Sequence, residues 1–171
     1  MNMKRVFGLM LVAGVLSLTG CSSLTAASQK EPKVDTKLTW QEAKAATQEM
    51  EREIAELIPK DVIVNVYQVD TGTLMSCGDG ADSWFGGMTV TVAKGTDIEA
   101  IVRDIETHYE STEYATSNRL SLNGHYKIAV KDPETTIRII VGEGLEPTHI
   151  DIDSASECFV LPEGVYRGGD F

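Results

Sequence analysis

The spacing of apolar residues changes period along this chain, and that change fixes the class of fold it can adopt. Trp40, Ala43, Met50, Ile54 and Leu57 recur every three or four positions, which makes one helical face. Thr39 and Glu42 stand ahead of them at capping-box spacing, and Pro59 ends the run. Glu49, Glu51, Arg52, Glu53 and Glu56 take the other positions and read as the solvated side. A second helix is expected through Ile98, Ile101, Val102, Ile105 and Tyr109, opened by a Thr96–Glu99 capping box and fraying near Ser111. Elsewhere the period is two. Val62, Val64 and Val66 alternate with Ile63, Asn65 and Tyr67, a strand read as well buried on one side and partly on the other. Leu74–Cys77 reads as a short strand, and Trp84 leads into another through Met88, Val90 and Val92. The last third holds strands at His125–Lys131, Thr135–Val141 and His149–Asp153, with turns at Asp132–Glu134 and at Gly142-Glu143-Gly144. The expectation is an α+β domain: an antiparallel sheet covered by two amphipathic helices.

At 171 residues the chain suits one modest core, and 42% apolar with 24% charged residues is a globular composition. Fifteen Lys and Arg face 26 Asp and Glu, for a formal charge of −11. No positive field exists to attract phosphate, so nucleic acid is excluded as a general partner. The one long apolar run lies near the N-terminus and is too short to span a bilayer comfortably.

That run has the layout of a secretory signal: Lys4 and Arg5, then the uncharged stretch from Val6 to Leu18. It ends in Leu18-Thr19-Gly20-Cys21, which resembles the lipobox of bacterial lipoproteins. The resemblance implies cleavage between Gly20 and Cys21 and a diacylglyceryl thioether on Cys21. Each buried CH₂ contributes about 0.8 kcal/mol, so two or three acyl chains anchor a protein durably. The expected organisation is a signal peptide over residues 1–20, a small polar tether over 21–37 and an α+β domain over 38–171. The expected location is the cell membrane, facing the extracytoplasmic side. An acidic body on such a tether is repelled by anionic lipid and stands off the surface.

With Cys21 assigned to lipid, Cys77 and Cys158 remain as an even pair in an oxidising compartment and are expected to form a disulfide. The order of a capped helix ending in Ile58-Pro59, then Thr71-Gly72-Thr73-Leu74-Met75-Ser76-Cys77, Trp84 and Ser156-Glu157-Cys158-Phe159 resembles the small LppA-like lipoproteins of actinobacterial envelopes. The likeness covers most of residues 40–160. That family carries no established activity, so it implies a staple and a location and transfers no catalytic residue.

The search for chemistry turns up few candidates. His149, Asp151 and Asp153 share one face of a strand, but same-face side chains lie about 6.6 Å apart, so the outer two are about 13 Å apart. One metal with bonds of about 2.1 Å cannot reach all three. Asp79 and Asp82 sit in a Gly-rich stretch read as a surface loop, without the acid spacing or the terminal Glu of a calcium loop. His108 suits the C-terminal end of a helix, and His125 follows the Asn123-Gly124 turn. No nucleophile elbow, zinc-peptidase, P-loop or dinucleotide motif occurs. The reading is therefore a lipid-anchored, non-catalytic envelope protein without cofactor or metal, binding another envelope component or protein. Trp84 and Phe85, in Trp84-Phe85-Gly86-Gly87, are the candidate binding patch, the other reading of Trp84 being a buried ring beside the disulfide. The rival is a surface hydrolase whose carboxylate or His site forms only in the fold.

Overall fold

The computed structural model describes residues 34–171. The expected signal peptide, Cys21 and the tether as far as residue 33 lie outside the described residues. The first helix, α1 (Trp40–Glu56), starts where the sequence places it. The Thr39 hydroxyl accepts the Glu42 N–H at 3.2 Å, and the Glu42 carboxylate accepts the Thr39 N–H at 3.0 Å. This exchange satisfies two backbone donors that a first turn leaves unpaired. The Thr39 N–H, aided by its hydroxyl, holds the Glu42 carboxyl below its usual range.

One antiparallel sheet supplies the rest: β1 (Ile63–Gln68), β2 (Thr73–Gly78) and β3 (Ala81–Val92), then α2 (Ile98–Glu110), then β4 (Ala115–Leu120), β5 (Tyr126–Lys131), β6 (Arg138–Glu143) and β7 (His149–Ala155). The spatial order is β1-β3-β7-β6-β5-β4, with β2 beside the first half of β3. Strands β4 to β7 are a meander, each pairing with the next, and β7 then closes onto β3. The class is α+β with a seven-stranded sheet and two helices.

Two apolar clusters hold this together. In the larger, Met88, Val90, Ile128, Val130, Ile139, Val141, Ile150 and Ile152 project from one face of the sheet. They meet Met50 and Ile54 of α1 and Ile101, Val102 and Ile105 of α2. In the smaller, Ala43, Trp84, Phe159 and Phe171 pack together with Trp40 and Leu161. The Trp84 Nε1–H donates to the Phe171 carbonyl at 3.0 Å, and Gly72 and Phe171 exchange backbone bonds at 2.7 and 3.2 Å. Gly86 is required here, because a Cβ would fall 2.0 Å from the Trp84 ring. Cys77 on β2 is bonded to Cys158, with Cα atoms 6.3 Å apart. The bond ties β2 to the segment that follows β7.

Several expectations are corrected. The second helix is capped by Asp97, whose carboxylate accepts the Ala100 N–H at 3.0 Å. Thr96 does not cap it, since its hydroxyl donates to the Ala93 carbonyl. Strand β1 is exposed, with Val64 and Val66 in solvent, because it is a sheet edge and β3 covers only one of its sides. Strand β4 has no counterpart among the expected elements, because Ala-Thr-Ser-Asn-Arg-Leu carries no apolar alternation; it is the opposite edge and needs none. Gly142 and Glu143 continue β6 and do not turn. Glu51 belongs to the buried side of α1. Asp82 is not in a surface loop: it is buried in β3, and Arg167 reaches it from the C-terminal segment. Asp35, read as tether, lies against the body, its N–H donating to the Cys158 carbonyl at 3.3 Å.

Candidate functional site

The two faces of the sheet differ in kind. Alternation sends Ile150, Ile152 and Ser154 of β7 under the helices and sends His149, Asp151 and Asp153 to the other face. Register then extends that open face in rows. Tyr67, Thr89, Asp151, Gly142, Lys127 and Arg119 lie side by side across six strands. The next row holds Gly87, Asp153, Ile140, Ala129 and Ser117.

At the β3 end of these rows lies a groove of about 400 Å³, lined by Val69, Thr73, Phe85, Gly87, Asp151, Asp153 and Asp170 among others. Phe85 forms a half-exposed aromatic wall, and Gly87 leaves the floor without a side chain. The Thr89 hydroxyl donates to Asp151 Oδ1 at 3.0 Å. Asp153 keeps contact with water, yet the groove walls strip enough of it to push its carboxyl up. Lys127 opposes that rise, and the Asp151 carboxylate adds to it. The arrangement suits a ligand with a flat or apolar part against Phe85 and hydrogen-bond donors facing the carboxylates.

The structure thus brings together two features that the sequence offered separately, Phe85 and the Asp151–Asp153 row. His149 heads the row but lines no part of the groove. Of the two readings of Trp84 the buried one holds and its place in the patch is lost: neighbouring strand residues point to opposite faces, so it is fully buried beside Phe171 while Phe85 is exposed. Among the described residues, no three His, Cys, Asp or Glu side chains are placed to hold one metal ion. Asp79 occupies the tip of the β2–β3 turn with φ +49°, a left-handed conformation that Asp tolerates. His108 lies in the last turn of α2 with its ring edge-on to Tyr109.

A hydrolase would need two perturbed carboxylates, or a His beside a free hydroxyl, in one cleft. Burial pushes the Glu51 carboxyl up, but it lies under the helices. There it accepts the Ser154 hydroxyl and Gln68 Nε2, the latter at 2.7 Å. Asp153 is on the other face, so the two share no cleft. His125 Nδ1 pairs with Glu143, and the adjacent Ser121 hydroxyl accepts the His125 backbone N–H at 3.1 Å. No reactive constellation is assembled among these groups.

No family model, curated protein or solved structure matches this chain.

One member of the site, and one buried carboxylate outside it, escape a reading of the sequence. Asp170 lies in a terminal segment with no periodic pattern, and only the pairing of Phe171 with Gly72 brings it to the groove. Glu51 is different, because a signal did exist. It sits four residues after Thr47 and three before Ile54, so its position belongs to the buried stripe although its residue type does not.

Proposed function

We propose that this protein is a lipid-anchored, non-catalytic binding protein on the extracytoplasmic side of a bacterial membrane. The Cys77–Cys158 disulfide carries the reading. It uses the even pair of cysteines, as a chain folded in an oxidising compartment would, and leaves Cys21 of the lipobox-like Leu18-Thr19-Gly20-Cys21 as the odd one. Residues 1–20 then act as the signal and the segment after Cys21 as the tether. Attachment in this reading rests on the lipid; among the described residues no helix is long and apolar enough to cross a membrane. The LppA-like resemblance agrees with that location. The groove at Phe85 receives the envelope component or protein. Binding is favoured over hydrolysis because the two raised carboxylates, Glu51 and Asp153, stand on opposite faces of the sheet.

The test fractionates cells that express the full chain or Cys21→Ser. Attachment through lipid predicts that the parent pellets with membranes in high salt and that Cys21→Ser appears in the soluble fraction. A Cys21→Ser protein that stays in the pellet through salt and carbonate washes rules out the anchor. A photo-crosslinking residue at Phe85 should capture a partner that the same residue at exposed Leu145 does not.

A further inference from the structure

The open face of the sheet is divided by charge. Its Lys and Arg side chains are Arg119 on β4, Lys127 and Lys131 on β5 and Arg138 on β6. Its carboxylates are Asp151 and Asp153 on β7, with Asp170 of the C-terminal segment beside them in the groove. No acid lies on the open side of β4, β5 or β6, and no Lys or Arg on that of β1, β3 or β7. Opposite charges thus occupy the two halves of one face in a chain that is acidic overall. Among the described residues, none of these seven side chains belongs to an ion pair. Among these charges, Ile140, Ala129 and Ala155 are only half-buried. Neither helix reaches this side, since both pack into the cluster on the opposite face.

We infer that this face is self-complementary and docks a second copy of the chain, the carboxylate half of each copy on the cationic half of the other. The strand order supplies the geometry. A two-fold axis between the sheets, parallel to the strands and midway between β7 and β6, lays β7 over β6 of the second copy. It also lays β3 over β5 and β1 over β4. The other in-plane axis, perpendicular to the strands, would set β7 on β7 and carboxylate on carboxylate, which repulsion disfavours. Six strands at about 4.8 Å spacing and six residues at about 3.3 Å give a footprint of about 600 Å² per copy. A total of about 1,200 Å² lies at the lower end for specific interfaces, so the dimer is weak and sensitive to salt. Confinement to a membrane would raise the effective concentration of such a pair. The inference goes beyond the proposed function and does not depend on Cys21; because Asp151 and Asp153 also line the Phe85 groove, a second copy and a groove ligand compete for this face.

The test uses the full chain in its own membranes and a carbodiimide, which joins a carboxylate directly to an amine. Wild type should give a covalent dimer at low salt, and at least tenfold less of it at 0.5 M NaCl on the order expected for screening across about 4 Å. Asp153→Lys alone, and Lys127→Glu with Arg138→Glu, should each reduce the dimer at least tenfold. Differently tagged copies of the two variants, co-expressed, should restore it as a heterodimer. The salt arm needs no substitution, and restoration cannot come from misfolded chains. Absence of a wild-type dimer overturns the inference, as does a dimer that neither charge reversal weakens. Capture of a cell-wall polymer by this face in place of a second copy also overturns it. Membrane retention in the same cells reports separately on the lipid anchor.

Discussion

The two apolar clusters are built in opposite ways. The larger is made mostly of aliphatic side chains that recur along regular strands and helices, with only Ile58 and Ile137 among its buried members just outside them. The smaller is aromatic and is gathered from distant points: Ala43 in α1, Trp84 in β3, Phe159 after the last strand and Phe171 at the far end. The first is held by many similar contacts and can absorb small changes. The second depends on a few anchors: the Cys77–Cys158 bond, the Trp84 indole bonded to the Phe171 carbonyl, and Arg167 on buried Asp82. Lys44 reinforces it, with Nζ 3.3 Å from that carbonyl and 5.7 Å from the Trp84 ring centroid. Periodic packing therefore gives redundancy, whereas a cluster closed by loops concentrates its stability in single groups.

The largest effect should come from cutting the covalent anchor. The bond spans 81 residues, and the chain-entropy account gives about 4.5 kcal/mol for a loop of that size. Cys77→Ser with Cys158→Ser should lose most of this in urea unfolding, and a loss below about 1 kcal/mol would show that the aromatic cluster closes without it. Trp84→Ala should cost about 3–5 kcal/mol, because it empties the centre of the smaller cluster and orphans its hydrogen bond. By contrast Ile152→Val, equally buried in the larger cluster, should cost only about 1 kcal/mol. Comparable losses in those two variants would remove the distinction drawn above.

Arg167→Ala comes next. It leaves the Asp82 carboxylate, 2% exposed, without its cation. Arg167 itself is half-exposed, so solvent reduces the cost to about 1–2 kcal/mol. Protease nicking of the C-terminal segment should accelerate in this variant, and an unchanged rate would mean that Phe171 alone holds the segment down.

The smallest effect is one of slope and concerns the larger cluster. Glu51 is fully buried, and burial raises its pKa above that of the unfolded chain. The unfolded chain therefore releases this proton first. The contribution is fully present below the unfolded pKa and is lost as pH rises toward the folded one. Glu51→Gln cannot ionise. Its stability relative to wild type should improve as pH rises from about 4 to about 8. A constant difference between the two urea midpoints across that range would show that folding leaves the Glu51 carboxyl unshifted.

How much of this was legible depends on whether a feature is local. Both helices, the alternation of β5 and β7, the Thr39–Glu42 cap and the pairing of Cys77 with Cys158 follow from spacing, composition and parity within the chain. A side chain's periodic position states which neighbours share its face, and that requires no knowledge of the fold. What lies over that face is another matter. Pairing of β3 with β7 joins segments about sixty residues apart, and it alone makes β1 and β4 the edges, exposing Val64 and Val66. The same topology buries Trp84 while exposing Phe85, and brings Asp170 to the groove. It also divides the open face into a cationic and an acidic half. The sequence by itself determined the elements and which residues share a side of each. Only the tertiary structure decided which sides are covered, because solvent exposure and electrostatic neighbourhood depend on the order in which strands assemble, and strand order is set by contacts between segments far apart in the chain.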